Sequence, residues 1–173
     1  MLYAYLSIAA LVIFLIYNIV SLILFGVPTS LSETYYKYEE KHKNLGKFLF
    51  YTMLMVVGLL VVVATIDKAQ VFSWLMIIGV AMVGVFPDYN NNTAMDKVVH
   101  PIGAAIAGAA CLVSLFVMLP PIPAVIAICG VLILVLLFAL ITKSLKRSFI
   151  YHLEMVAFYS IFAGSIIYNL FYR

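Results

Sequence analysis

The sequence predicts an all-α, polytopic membrane protein that folds as a bundle of six transmembrane helices in one domain, residues 1–173. Of the 173 residues, 66% are hydrophobic and only 10% are charged, whereas roughly 25% charged is usual for soluble globular domains. The hydrophobic residues form long blocks of the length that crosses a bilayer. Six such blocks use almost the whole chain, so we expect no soluble module.

The six blocks follow one another in chain order, and each ends at charged or helix-breaking residues. The first ends at Gly26 and Pro28. Because no Lys or Arg precedes it and no small-residue cleavage site follows it, we expect a spanning helix and not a cleaved signal peptide. Asp67 and Lys68 separate the second block from the third. The predicted helices are 2–27, 48–66, 69–86, 97–119, 124–142 and 149–171.

Residues 29–47 form the long polar segment of the chain. Ser32 is placed to cap a short helix, in which Tyr35, Tyr36 and Tyr38 recur near helical spacing among charged residues. This pattern favours an amphipathic segment that lies in the headgroup region. The alternative is a connection that only solvates the surface.

Basic residues predict the orientation of the bundle. The loops after helices one, three and five share one side of the membrane, and the other side has only Lys68 and Arg173. The basic residues of the first side are Lys37, Lys41, Lys43, Lys47, Lys97, Lys143, Lys146 and Arg147. The positive-inside rule therefore places these loops in the cytoplasm and both termini on the non-cytoplasmic side. We expect a multi-pass protein of the cell membrane.

The same side of the bundle also receives most of the acidic residues and histidines at helix ends. Ionisable groups at membrane depth are costly and are often functional, so we treat these residues as a candidate polar cluster. Three loops that are distant in sequence contribute to it. Its members are Ser32, Glu33, Asp88, Asp96, His100, His152 and Glu154.

Small residues on helix four indicate which way His100 points. Gly103 with Ala107, and Ala104 with Gly108, are small-xxx-small pairs that allow another helix to approach closely. Since residues 104, 107, 108 and 111 lie on the face of His100, we expect this side chain to face the bundle interior. Asp96 lies one turn above on that face and is placed to hold an imidazole nitrogen. Pro101 is expected near the first turn of the helix, where proline is tolerated.

Helix six carries two ionisable residues that cannot face the same point. His152 and Glu154 are two residues apart, or about 200° around a helix. We expect Glu154 in the interior, paired with His100, Lys97 or Arg147. His152 is then a ligand near the surface or an interfacial residue.

The polar cluster has two possible roles, a metal site or a structural contact between helices. Asp88, His100 and His152 would suit zinc, which binds imidazole nitrogen and carboxylate oxygen. The alternative is an ion-paired, hydrogen-bonded cluster that fixes helix packing. The chain has no HxxxH, HExxH or CxxC, no Walker loop, no GxSxG and no dinucleotide fingerprint. The net charge of +3 and the lack of a basic stripe exclude nucleic acid as an expected partner.

Several short motifs resemble a known pattern. GVFP at 84–87, HPIGA at 100–104 and PTSLSETYY at 28–36 are similar to motifs of small six-helix prokaryotic integral membrane proteins of unknown function, which are themselves similar to FRAG/DRAM-like membrane proteins. Lys146 and Arg147 lie where a basic residue is common in that family. The resemblance implies the six-helix architecture. A more distant similarity to membrane hydrolases of the ceramidase and adiponectin-receptor type implies zinc.

Three functional hypotheses follow from the sequence. The leading one is a non-enzymatic membrane protein, without a cofactor, that binds a lipid or a partner helix at the cytoplasmic-side cleft around His100 and Glu154. A homo-oligomer or a partner membrane protein is compatible with it. The second is a zinc-dependent lipid hydrolase, and the third is a small transporter in which Asp96, His100 and Glu154 relay protons.

Overall fold

The structure, a computed structural model, describes residues 1–42, 44–86 and 94–173, and the side chains of Lys47, Ala94 and Asp96 lie outside this description. The prediction of an all-helical protein is confirmed for these residues. The helices are α1 (Leu2–Phe25), α2 (Glu33–Lys41), α3 (Leu45–Val85), α4 (Ala94–Met118), α5 (Pro121–Ile141) and α6 (Phe149–Phe171).

Five of the helices are long and apolar enough to cross a membrane, namely all except α2. Gly26 ends α1 with a φ of 73°, a conformation that glycine adopts without a Cβ penalty. Pro121 begins α5, where its missing amide hydrogen costs no helical hydrogen bond. Pro101 differs from the expectation: α4 begins at Ala94, so this proline lies two turns inside the helix and not in its first turn.

Helix α3 is a hairpin. Its backbone leaves the helical conformation at Ala69, with φ −109° and ψ 31°, one residue after the charged pair at which we predicted a break. A methyl group at Gly84 would lie 2.9 Å from the Tyr51 ring, although a straight helix would separate these residues by about 50 Å. The Thr65 and Ser73 hydroxyls are 2.7 Å apart across the turn. The six predicted spans therefore correspond to five long helices, one of them folded back on itself.

Close packing and polar pairs hold the helices together. The second arm of α3 packs tightly on α4, and α6 packs against α1, α4 and α5. The hydroxyls of Ser7 on α1 and Ser165 on α6 are 2.6 Å apart, and the Tyr151 hydroxyl donates to Asn18 Oδ1 at 3.1 Å. Such bonds satisfy polar groups where no water is available.

The α1–α2 connection turns back, and α2 then lies beside α1 and runs in the same direction. The hydroxyls of Tyr17 on α1 and Thr34 on α2 are 2.7 Å apart, and those of Ser21 and Tyr38 are 3.2 Å apart. Tyr35 and Tyr38 are 8% and 5% exposed. These two rings therefore face protein: Tyr38 has the Ser21 hydroxyl as a partner, and the Tyr35 ring contacts Phe50. The position of α2 in the headgroup region stays a prediction.

Residues from three helices form a polar clamp at one end of the bundle. Asp67 Oδ2 accepts a hydrogen bond from the Tyr168 hydroxyl at 2.8 Å and pairs with Arg173 Nε at 3.3 Å. The Arg173 guanidinium lies 3.2 Å from the centre of the Tyr3 ring. The clamp joins the start of α1 and the end of α6 to the hairpin turn of α3.

Candidate functional site

A cavity of about 540 Å³ lies at the end of the bundle remote from this clamp. We call it the basic cavity, because three of its lining side chains are cationic. Three segments form it: the α1–α2 connection, the first turns of α4, and the α5–α6 connection with the start of α6. Its lining residues are Thr29, Ser30, Ser32, Lys97, His100, Pro101, Ala104, Lys146, Arg147, Phe149, Ile150 and Glu154. The structure thus brings together Ser32, His100 and Glu154 of the predicted cluster.

Glu154 connects α6 to the α1–α2 connection. Its Oε2 atom accepts a hydrogen bond from the Leu31 amide at 2.6 Å, and the Tyr151 amide donates to the Thr29 carbonyl at 3.0 Å. Glu154 does not form an ion pair with Lys97 or Arg147, which were among its predicted partners. The carboxylate instead satisfies a backbone donor of a non-helical segment that lies inside the protein, where an unpaired amide would be costly.

His100 connects α4 to the end of α3. The side chain is 6% exposed, and Nδ1 lies 2.8 Å from the Phe86 carbonyl oxygen. Because a carbonyl oxygen only accepts, Nδ1 carries the proton in this hydrogen bond. The contact gives a partner to a carbonyl at the helix end, where the helix itself offers no donor.

Three cations line the basic cavity, and none of them pairs with a carboxylate among the residues that the structure describes. Lys97, Lys146 and Arg147 are all exposed. The ion pairs among the described residues join Lys37 to Glu33 and Arg173 to Asp67, so no described carboxylate lies within 4.0 Å of the three cations. The described lining residues include these three cations and one carboxylate, that of Glu154, so together they carry an excess of positive charge.

Ser32 and Glu33 have different roles. The hydroxyls of Ser32 and Ser30 are 3.1 Å apart and both residues line the basic cavity. Glu33 does not line it. Its carboxylate accepts a hydrogen bond from the Thr29 amide and pairs with Lys37 at 3.1 Å. Partial burial alone would raise the pKa of Glu33, but the Thr29 hydrogen bond and the Lys37 charge outweigh it and hold the pKa below its usual value.

His152 lines a different cavity. This second cavity, of about 450 Å³, is almost entirely apolar and lies between α1, α5 and α6. The Nε2 atom of His152 lies 3.0 Å from the Ser144 hydroxyl, whereas Nδ1 has no hydrogen-bond partner. His152 and Glu154 thus face different cavities, as their spacing of about 200° requires.

The structure describes two of the three predicted zinc ligands. His100 and His152 line different cavities, and Asp88 lies outside the described residues. Within ranges 1–42, 44–86 and 94–173, no three His, Cys, Asp or Glu residues group as metal ligands. The described residues therefore do not fit a zinc site. Asp96 lies on α4, with its side chain outside the description.

The two small-residue pairs of α4 have different surroundings. A methyl group at Gly103 would lie 2.6 Å from Met82 Cβ, and one at Gly79 would lie 2.6 Å from the Ala107 amide nitrogen. Gly103 and Ala107 therefore form the close contact with α3. Ala104 and Gly108 border a void of about 40 Å³, and no atom would lie within 4 Å of a methyl group at Gly108.

Sequence reasoning did not assign Thr29, Ser30 or the three cations to the cluster. Lys97, Lys146 and Arg147 served to predict orientation, and a basic connector has the same pattern whether it orients a helix or binds a ligand. A run of hydroxyl residues after Pro28 was the available sign for the other two.

No protein-family model, curated protein or solved structure matches this chain. The resemblance drawn from residues 84–87 and 100–104 stays a prediction, and we interpret the site from its own geometry.

Proposed function

We propose that the chain crosses the cell membrane six times, with α3 crossing twice and both termini on the non-cytoplasmic side. Eight of the ten Lys and Arg residues belong to the three connections on one side of this topology. Residues of these connections line one cavity, as a shared side requires. The basic cavity then opens at the cytoplasmic surface, where anionic lipids attract basic residues.

We propose that the protein binds a membrane lipid, and that the lipid headgroup occupies the basic cavity. The observation that carries this proposal is the composition of the cavity wall. Polar and charged groups from three connections face the same space as Pro101, Ala104, Phe149 and Ile150. A site with apolar walls and a few convergent polar groups is typical of small-molecule binding. At the end of a membrane bundle, an amphipathic lipid is the ligand that matches both kinds of surface.

The geometry supports a passive binding site. Glu154 and His100 each bond to backbone atoms of neighbouring segments, Leu31 and Phe86. They fix the cavity wall by joining α6 to the α1–α2 connection and α4 to the end of α3. The Ser30 and Ser32 hydroxyls bond each other, which leaves one hydroxyl proton of the pair, together with the cations, to donate to a headgroup.

Filling the cavity tests the proposal. Ala104 lines the basic cavity, whereas Ala105 is exposed on the outer face of α4. Wild type, Ala104→Phe and Ala105→Phe are purified in mild detergent, and bound lipid is extracted and quantified by mass spectrometry. We expect about one lipid per chain in the wild type and in Ala105→Phe, and a large loss in Ala104→Phe.

A second measurement uses the wild-type protein, so that a folding defect in a variant cannot affect it. A photoactivatable lipid should crosslink to wild-type peptides that contain Lys97–Ala104 or Lys146–Glu154, and excess unlabelled lipid should abolish the crosslinks. Equal lipid content in all three proteins, with crosslinks spread over the outer helix faces, would overturn the proposal. Co-purification of another membrane protein that Ala104→Phe releases would assign the cavity to a partner helix instead.

A further inference from the structure

The charge of the basic cavity narrows the class of lipid, and this inference rests on the lipid-binding function proposed above. The cationic groups of Lys97, on α4, and of Lys146 and Arg147, on the α5–α6 connection, line one cavity although almost fifty residues separate them in sequence. No described carboxylate lies within ion-pair distance of them. Basic residues that serve only to orient helices need not converge, whereas these three share a cavity with hydroxyl groups.

The one described carboxylate in the cavity wall does not cancel this charge. Glu154 Oε2 accepts the Leu31 amide at 2.6 Å, which holds the carboxylate at the α1–α2 connection. Lys146 and Arg147 lie on the α5–α6 connection, and Lys97 lies three residues after the start of α4. Among the described lining residues, a ligand therefore meets three cations and one carboxylate that is already hydrogen-bonded.

The start of α2 does not supply an anion site of its own. The amides of Glu33, Thr34 and Tyr35 donate to the carbonyls of Ser30, Leu31 and Ser32. The Glu33 carboxylate accepts from the Thr29 amide. Since these backbone donors are occupied, recognition of an anion at this site depends on the side-chain cations and hydroxyls.

We propose that the basic cavity selects the phosphate of an anionic phospholipid, with Lys97, Lys146 and Arg147 as its charge partners and the Ser30–Ser32 hydroxyl pair as the source of one further donor. The guanidinium of Arg147 matches two phosphate oxygens, while each lysine contributes a point charge. A zwitterionic headgroup is disfavoured, because its ammonium group would have to share the cavity with three cations. Phosphatidylglycerol, which carries one phosphate and only hydroxyls beyond it, has the matching chemistry.

The test measures lipid selectivity. Wild-type protein in mild detergent is titrated with phosphatidylglycerol and with phosphatidylcholine of the same acyl chains, and binding is quantified by native mass spectrometry. We expect at least tenfold tighter binding of phosphatidylglycerol at low salt, which weakens as salt screens the charges. Lys146→Gln and Arg147→Gln should each reduce this preference about fivefold, as expected for one basic residue near anionic lipid.

Lys143 provides the matched control. It belongs to the same α5–α6 connection and is exposed, but it does not line the cavity. Lys143→Gln should therefore keep the wild-type preference. An equal effect of Lys143→Gln and Lys146→Gln would show general attraction to a basic surface and overturn the inference.

The remaining outcomes separate this inference from the proposed function. Lipid binding that Ala104→Phe abolishes, without preference for phosphatidylglycerol, would overturn the headgroup assignment and leave the lipid site in place. Failure of any lipid to bind in a manner sensitive to Ala104→Phe would overturn both. Inorganic phosphate and glycerol phosphate are titrated in parallel. If either binds as tightly as phosphatidylglycerol, the ligand is a soluble phosphate and the lipid assignment is wrong.

Discussion

The close contact between α3 and α4 gives a sharp prediction about stability. At Gly103 of α4, a methyl group would lie 2.6 Å from Met82 Cβ and 2.8 Å from the Gly79 carbonyl oxygen of α3. Ordinary contact needs 3.4 Å, so Gly103→Ala would force the two backbones apart by about 0.8 Å. Overpacking of this kind costs roughly 1–3 kcal/mol, because neighbouring side chains and backbone must shift together.

Gly108, on the same helix, provides a control that separates the cost of overpacking from the change in helix propensity. No atom lies within 4 Å of the position that a methyl group would take there. Replacing a helical glycine with alanine stabilises a helix by up to about 1 kcal/mol, and this gain is common to both variants. The difference in unfolding free energy between Gly103→Ala and Gly108→Ala therefore isolates the contact, and we expect about 1–3 kcal/mol.

Reversible denaturation in mixed micelles, followed by circular dichroism, measures this difference. Gly79→Ala should reproduce the loss, since a methyl group there would lie 2.6 Å from the Ala107 nitrogen and from the Gly103 oxygen. If Gly103→Ala is as stable as Gly108→Ala, α3 and α4 do not cross at these glycines and the packing described here is wrong.

Two further predictions concern acidic residues near the α1–α2 connection. Glu154→Ala removes the acceptor of the Leu31 amide and should lower the free energy of unfolding in micelles by about 1–3 kcal/mol; Glu154→Gln keeps an acceptor and should lose clearly less, so an equal loss would contradict the assigned bond. The pKa of Glu33 lies below its usual value, so its stabilising effect is present above the unfolded-state pKa and is lost as pH falls through the lower folded-state pKa. Acid unfolding monitored by fluorescence should therefore be less pH-dependent in Glu33→Gln than in wild type, while the exposed control Glu40→Gln should match wild type.

Periodicity and composition were sufficient to predict the helical architecture. The long apolar blocks, the break at Asp67 and Lys68 and the short polar helix after Ser32 follow from local chemistry, because each helix satisfies its own backbone. The same reasoning placed Gly103 and Ala107 in a close helix contact. It also predicted that His152 and Glu154 face apart, since helical geometry alone fixes that angle.

Local sequence patterns did not predict which side chains and backbone groups form hydrogen bonds between helices. From the sequence we expected a charged partner for Glu154, but its partner in the structure is the Leu31 amide. Every residue except proline has a backbone amide, so the sequence does not indicate which amide is the donor. His100 likewise bonds to the Phe86 carbonyl. The tyrosines of α2 were expected near headgroups because their amphipathic pattern is the same whether the apolar face meets lipid or protein.

The sequence by itself determined that this is an all-helical protein with helices apolar enough to cross a membrane and that its basic residues concentrate in three segments. Only the tertiary structure decided that Lys97, Lys146 and Arg147 share a cavity with Ser30, Ser32 and Glu154. The physical reason is that apolar periodicity and helix ends are encoded by neighbouring residues. The convergence of three distant connections depends instead on how α3 folds back and how α2 packs against α1.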